Sequence, residues 1–150
     1  MAKTKVFYLS NYKLQQWGRV EQKPGDACFD LRAAISEKLF IYPHDVVRVP
    51  LGMVVELPEY TCMKIYPRSG CLAVGLNLTG PQIIDPSYRG EIHAVVRNVN
   101  EHRIVIEPGD RIAQGNLERF IPAEFDLVRS VDDLTKTWRG ANGFGHTGVK

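Results

Sequence analysis

Short runs of β-branched and aromatic residues recur along the chain and are cut apart by proline and glycine. The runs cover residues 6–9, 39–42, 46–49, 53–57, 60–66, 92–98, 103–106 and 112–120. Each has the composition of a strand, because branched and ring side chains suit a pleated, half-buried surface. The breaks fall at Pro24-Gly25, Pro43, Pro50, Pro58, Pro67, Gly70, Gly80-Pro81, Pro86, Gly90, Pro108-Gly109 and Pro122. Their spacing is near the roughly 8–12 residues of antiparallel sandwiches and leaves helices little room. Around Glu107-Pro108-Gly109 the runs 103–106 and 110–113 are expected to form a hairpin. Proline suits position i+1 of a type II turn and glycine supplies the positive φ at i+2. For Cys71-Leu72-Ala73-Val74 a short buried helix and a strand fit equally well, since periodicity does not decide over so few residues. No repeat, low-complexity tract or linker divides the pattern, which predicts one all-β domain.

Composition narrows the setting. The chain has 150 residues, 44% hydrophobic and 24% charged, with a formal net charge of +2. At this length about 68–70% of the unfolded surface can be buried, so one core holds without staples. Cys28, Cys62 and Cys71 are odd in number, lack a CxxC pair and have no nearby His. Neither a disulfide framework nor a zinc site is indicated, and a reducing compartment is expected. The apolar stretch 51–57 is interrupted by Gly52 and Glu56 and falls far short of the roughly 20 residues that span a bilayer. The apolar patch near the start is too brief for a secretory signal, so a cytoplasmic location is expected, with no membrane contact. The near balance of charge gives no argument for direct nucleic-acid binding.

Several stretches carry candidate chemistry. From Trp138 onward the chain is glycine-rich, and Gly143-Phe144-Gly145-His146-Thr147-Gly148 satisfies GxGxxG. Only Val149 and Lys150 follow, so no helix can receive a pyrophosphate and a dinucleotide fold is excluded. An inert terminus or a phosphate-wrapping lid remain. Arg139 and Phe144 favour the lid, as a guanidinium clamps phosphate and a ring stacks on a base. Tyr66-Pro67-Arg68-Ser69-Gly70 reads as an anion seat or an ordinary turn. Asp85 follows two isoleucines and precedes Pro86; a carboxylate on so fixed a backbone suits a general base, or simply starts a turn. Gly109-Asp110-Arg111-Ile112-Ala113-Gln114 reads alone as a hairpin with a salt-bridging Asp and Arg. Asp30, alternating with apolar neighbours, points inward or across an interface and needs a partner. Cys71 reads as core. No His pairs with another ligand at metal spacing, and GxSxG and GxxxxGK[ST] are absent.

Taken in order, these stretches resemble the five motifs of the homotrimeric dUTPase family, with Pro-Arg-Ser-Gly, Ile-Asp-x-x-Tyr-Arg-Gly, Gly-Asp-Arg-Ile-Ala-Gln and Arg-Gly-x-x-Gly-Phe-Gly nearly intact across residues 25–148. The resemblance implies a distorted jelly-roll β-sandwich or barrel with at most one short helix and a flexible glycine-rich tail. Residues 1–137 would form the domain body and 138–150 its lid. It implies a homotrimer with shared active sites, Mg2+, and hydrolysis of dUTP to dUMP and diphosphate, which keeps uracil out of DNA. In that family's terms Asp85 would activate water for attack on the α-phosphorus. Arg68, Ser69, Gly70 and Gln114 would hold phosphates, with the metal carried by substrate phosphates and water near Asp30 and Gln114. The turn holding Thr79, Gln82, Ile83 and Ile84 would be a hairpin reading uracil, above a deoxyribose packed on Tyr88. From a neighbouring subunit Arg139 would clamp the γ-phosphate, Phe144 would stack on the base, and the amides of Gly143 and Gly145 would close over the phosphates. The chain departs from the family where Gln82 replaces a common Gly, Thr79 a frequent Asn, Cys28 a usual Gly and His146 a frequent Ser. The related dCTP deaminases place a catalytic Glu in the strand after the third motif, where this chain has none beyond Glu91. A nucleotide-dependent interaction protein is the remaining alternative.

Overall fold

The computed structural model describes residues 3–143. Its strands are β1 (Lys5–Tyr8), β2 (Phe29–Arg32), β3 (Leu39–Ile41), β4 (Val46–Pro50), β5 (Met53–Glu56), β6 (Thr61–Pro67), β7 (Leu76–Leu78), β8 (Gln82–Ile84), β9 (His93–Asn98), β10 (Ile104–Ile106) and β11 (Arg111–Arg119). They pair antiparallel as β2-β11-β6-β8, β4-β9-β7, β1-β5 and β10-β3. The result is a jelly-roll-like arrangement of open sheets, with no closed barrel among the described residues.

Alternation drives these strands. On β6, Met63 and Ile65 are buried while Lys64 and Tyr66 face outward; on β9, Ala94 and Val96 are buried. A strand that sends successive side chains to opposite faces buries one set and leaves the other for solvent or ligand. Leu31, Ile41, Val49, Leu51, Met53 and Ile92 are fully enclosed and join the strands into a single core.

Every predicted run became a strand, and the segment that could be helix or strand is the short helix α2 (Ser69–Ala73), with Cys71 buried on it. The expected limit of one short helix is exceeded. A further turn of helix, α1 (Leu14–Trp17), forms where Tyr12 stacks between Tyr8 and Trp17, at centroid distances of 4.5 and 5.2 Å. A 3-10 turn at Val131–Asp133 is closed by a reciprocal cap between Ser130 and Asp133.

The expected hairpin is not formed. The turn itself is present, with Asp110 N donating to Glu107 O at 3.1 Å and Gly109 at φ 86°. Yet Ala33, just past β2, takes the groups a hairpin needs. Gly109 N donates to Ala33 O at 2.9 Å and Ala33 N to Asp110 O at 2.8 Å. β11 therefore leaves the turn along β2, while β10 pairs with β3.

Candidate active site

The outward face of the β2-β11-β6 sheet carries the first group of polar residues. Asp30 lies opposite Gln114 in the β2–β11 register, and Gln114 lies opposite Tyr66 on β6. Asp30 stands between two guanidinium groups, with Arg68 Nε at 2.7 Å from Oδ1 and Arg111 Nη1 at 3.2 Å from Oδ2. Arg68 also donates to Arg111 O at 3.0 Å, and Gln114 Nε2 donates to Pro67 O at 2.9 Å. Arg111 therefore pairs with Asp30 across the sheet, correcting the local pairing with Asp110 read from sequence. These residues line a cleft of about 630 Å³ whose far wall includes Cys28 and Lys23. Burial pushes the Cys28 thiol up, with the Glu118 carboxylate adding to the effect. Ser69 and Gly70 open α2 beside this cleft and are exposed.

A second cleft, of about 270 Å³, lies around Asp85, Ile83, Ile84 and Tyr88, with Arg48 and His93 on its wall. β8 delivers Asp85, and a turn in which Tyr88 N donates to Asp85 O at 3.1 Å fixes its backbone. The Asp85 side chain is exposed and has no hydrogen bond or ion pair with any described residue. Tyr88 folds back over Gly90, where any Cβ would collide with its ring, and its hydroxyl donates to Glu91 O at 3.0 Å. The Glu91 carboxylate accepts from Asn11 Nδ2 at 2.9 Å and Gly52 N at 3.1 Å. It is a structural anchor, which removes the one carboxylate a deaminase reading could have used.

Between β7 and β8 the chain does not form the expected uracil hairpin. β7 pairs with β9 and β8 with β6, so the two are edge strands of different sheets. Thr79 N donates to Val95 O at 3.1 Å, and Gln82 reaches the same residue with its side chain. Gln82 needs no left-handed backbone; in this turn Gly80 supplies the positive φ, 144°.

The two clefts are distant. Register sets Ile84 opposite Met63, so Asp85 comes level with Cys62 while Arg68 lies beyond the other end of β6. Six residues of strand separate them by roughly 20 Å at about 3.3 Å per residue. Arg139 and Gly143 are exposed in neither cleft, with Arg139 Nε donating to Asn142 O at 2.9 Å. Phe144 and Gly145 lie outside the described residues. Among the described residues no three His, Cys, Asp or Glu gather as a metal cage, and no helix is long and apolar enough to cross a membrane. Arg48, His93 and the role of Arg111 were not foreseen from sequence. Their one signal was a basic residue placed on a strand that otherwise alternates apolar.

The dUTPase family model matches residues 20–148. The deoxyuridine 5'-triphosphate nucleotidohydrolase of Chlamydia pneumoniae is 41% identical over 128 residues, covering 84% of this chain and 87% of that protein. That of Desulfitobacterium hafniense is 40% identical over 129 residues, covering 84% and 83%. Among solved structures, a Staphylococcus bacteriophage 80alpha dUTPase with dUpNHpp has a TM-score of 0.84 at 21% identity, covering 98% of this chain and 99% of that one. The dUTPase of phage phi11 of S. aureus, in which a structural Mg(II) ion is coordinated, has a TM-score of 0.74 at 18% identity, covering 87% and 99%. With both the family model and these relatives spanning most of its length, the chain belongs to the dUTPase family of hydrolases.

Proposed function

We propose that the protein hydrolyses dUTP to dUMP and diphosphate in a homotrimer whose sites are each completed by more than one copy, thereby lowering the dUTP available for incorporation into DNA. The observation that carries this reading is Asp85, a carboxylate on a fixed turn, exposed and without a side-chain partner among the described residues. Such a group can accept a proton from water and direct the resulting hydroxide at the α-phosphorus, a general-base role. Arg68, Ser69 and Gln114 hold the phosphates, and Arg111 joins Arg68 in balancing their charge. Tyr88 packs beneath the deoxyribose, where its ring leaves no space for a 2′-hydroxyl.

Of the carboxylates lining the phosphate cleft, Glu21, Asp26 and Asp30, only Asp30 stands on the strand face beside Gln114 and between Arg68 and Arg111. Mg2+ favours one or two carboxylates together with substrate phosphates and water, so this donor set fits an ion carried by the triphosphate near Asp30 and Gln114. When bound, it supplies charge neutralisation to the leaving diphosphate. Arg139, Gly143, Phe144 and Gly145 belong to a lid, residues 138–150, that closes over the nucleotide held by the body, residues 1–137, and excludes water. Three free thiols, Cys28, Cys62 and Cys71, suit a reducing cytoplasmic setting.

The test is diphosphate release from dUTP, dCTP, dTTP and UTP with Mg2+. Selective turnover of dUTP is expected, and equal rates on all four would refute the reading. Asp85→Asn is expected to lower kcat by about 10²–10⁴ while binding of a non-hydrolysable dUTP analogue persists. Retained turnover would dismiss Asp85 as the base.

A further inference from the structure

The end of the opening between β7 and β8 is closed by a side chain. Gln82 Nε2 donates to Val95 O at 2.7 Å, and Val95 N donates to Gln82 Oε1 at 2.9 Å. A primary amide that makes both bonds to one residue does the work of a β-bridge with a side chain in place of backbone. It does so at the point where β7 ends, since Leu78 is opposite Val96 and Thr79 N is the last backbone donor to reach Val95. On its other side Gln82 pairs with Ile65 of β6. Gln82 thus fastens β8, in one sheet, to β9, in the other.

What it fastens has the form of a slot. β7 and β8 are both edge strands, so each has an edge that no other strand pairs, although on β7 the Leu78 N–H is already held by Asn77 Oδ1 at 2.8 Å. Beside them lies a cavity of about 410 Å³, bounded by Leu78, Gly80, Pro81, Gln82, Ile83 and Tyr66. A flat heterocycle with its own donors and acceptors suits such an opening, and the spacing of the two edges decides which heterocycle fits.

We propose that Gln82, through its paired bonds to Val95, sets the width of this slot and is a specificity-determining residue for the pyrimidine. The proposal rests on the dUTP reading above. A stitched slot keeps its two edges at one spacing, admitting a pyrimidine with hydrogen at C5 and excluding one with a methyl there. An unstitched β8 is held only by β6 and can yield to the larger base.

Gln82→Met keeps the side chain's length and removes both polar atoms; Gln82→Glu keeps an acceptor for Val95 N–H and loses the donor to Val95 C=O. Both variants are expected to raise the KM for dUTP about tenfold with kcat within about twofold, and to lower the dUTP-over-dTTP ratio of kcat/KM by about tenfold. Unchanged KM and unchanged discrimination would overturn the proposal. So would a parallel fall in kcat for every nucleotide accompanied by a lower Tm, the pattern of a merely structural tie. If the unaltered protein shows no preference for dUTP, the functional reading fails and takes the proposal with it. If it prefers dUTP and the Met variant matches it, only the proposal fails.

Discussion

Gly70 carries no side chain, yet the surrounding chain leaves room for one: nothing lies within 4 Å of where its Cβ would stand. Its φ is not left-handed either. A glycine that its own fold does not require leaves room for something approaching from outside, and under the proposed function the approaching group is the substrate's phosphates. Gly70→Ala is expected to leave Tm within about 1 °C of the parent while raising the KM for dUTP, as thermal melts and steady-state kinetics will show. Glu118 illustrates a residue whose effect depends on pH. The Lys64 ammonium at 2.6 Å and the Tyr66 hydroxyl at 2.5 Å hold its carboxyl below the usual carboxylate range. A depressed folded-state pKa contributes stability above the unfolded value near 4.3 and loses it as pH falls through the folded value. Glu118→Gln should therefore be less stable than the parent at pH 7 and approach it as the pH falls through the folded-state value, measured as urea midpoints. Asp85 was legible in sequence because its fixing element, Pro86, is adjacent. The partnership of Asp30 with Arg111 was not, because 81 positions separate them and only the strand register brings them together.

Strand β9 ends in Asn98, a fully buried polar residue whose bonds hold neighbouring segments in place. Its Nδ2 donates to Ile41 O at 2.9 Å and His102 O at 2.8 Å, and its Oδ1 accepts from Asn100 N at 2.9 Å. Asn98→Leu fills similar volume but leaves those backbone groups without partners inside the protein. A loss of roughly 1–3 kcal/mol is expected, read from chemical denaturation, with dUTP turnover per folded molecule unchanged. The long, regularly punctuated strands were plain in the hydrophobic pattern. β2, β7 and β8 were not. Phe29-Asp30-Leu31-Arg32 is half charged because its outer face sends Asp30 to the cleft and Arg32 to Gly109 O at 2.8 Å, while Leu76–Leu78 and Gln82–Ile84 are three-residue strands crowded against Gly75 and Pro81. The failed hairpin has the same cause. Local sequence specifies the turn, but the choice of partner belongs to Ala33, far away in the chain.

At the scale of the molecule, one copy presents two separate clefts, which the proposed trimer would bring together as halves of shared sites. After β11 the chain also bares large apolar side chains, with Ile121, Phe125 and Leu127 each more than 90% exposed. Apolar groups so placed call for cover, and the proposed neighbouring subunits supply it. Light scattering is expected to give a mass near three times 16.9 kDa. Complementation provides a sharper check. Asp85→Asn and Arg68→Ala chains, each inactive alone, should recover about a quarter of parental activity when unfolded together and refolded as mixed trimers, since a site drawing the two residues from different chains is intact at that frequency. No recovery would mean that each site is built within one chain. This level of organisation left no trace in the hydrophobic pattern and entered only through the family resemblance.

The placing of Asp85 and Arg68 toward opposite ends of β6 also bears on how activity varies with the amount of protein. If the sites are shared as proposed, a newly made chain, though fully folded, would hold no complete site and would turn over nothing until it met others. At concentrations where the assembly comes apart, the reaction rate should fall more steeply than in proportion to the protein present, so that dilution alone silences the enzyme.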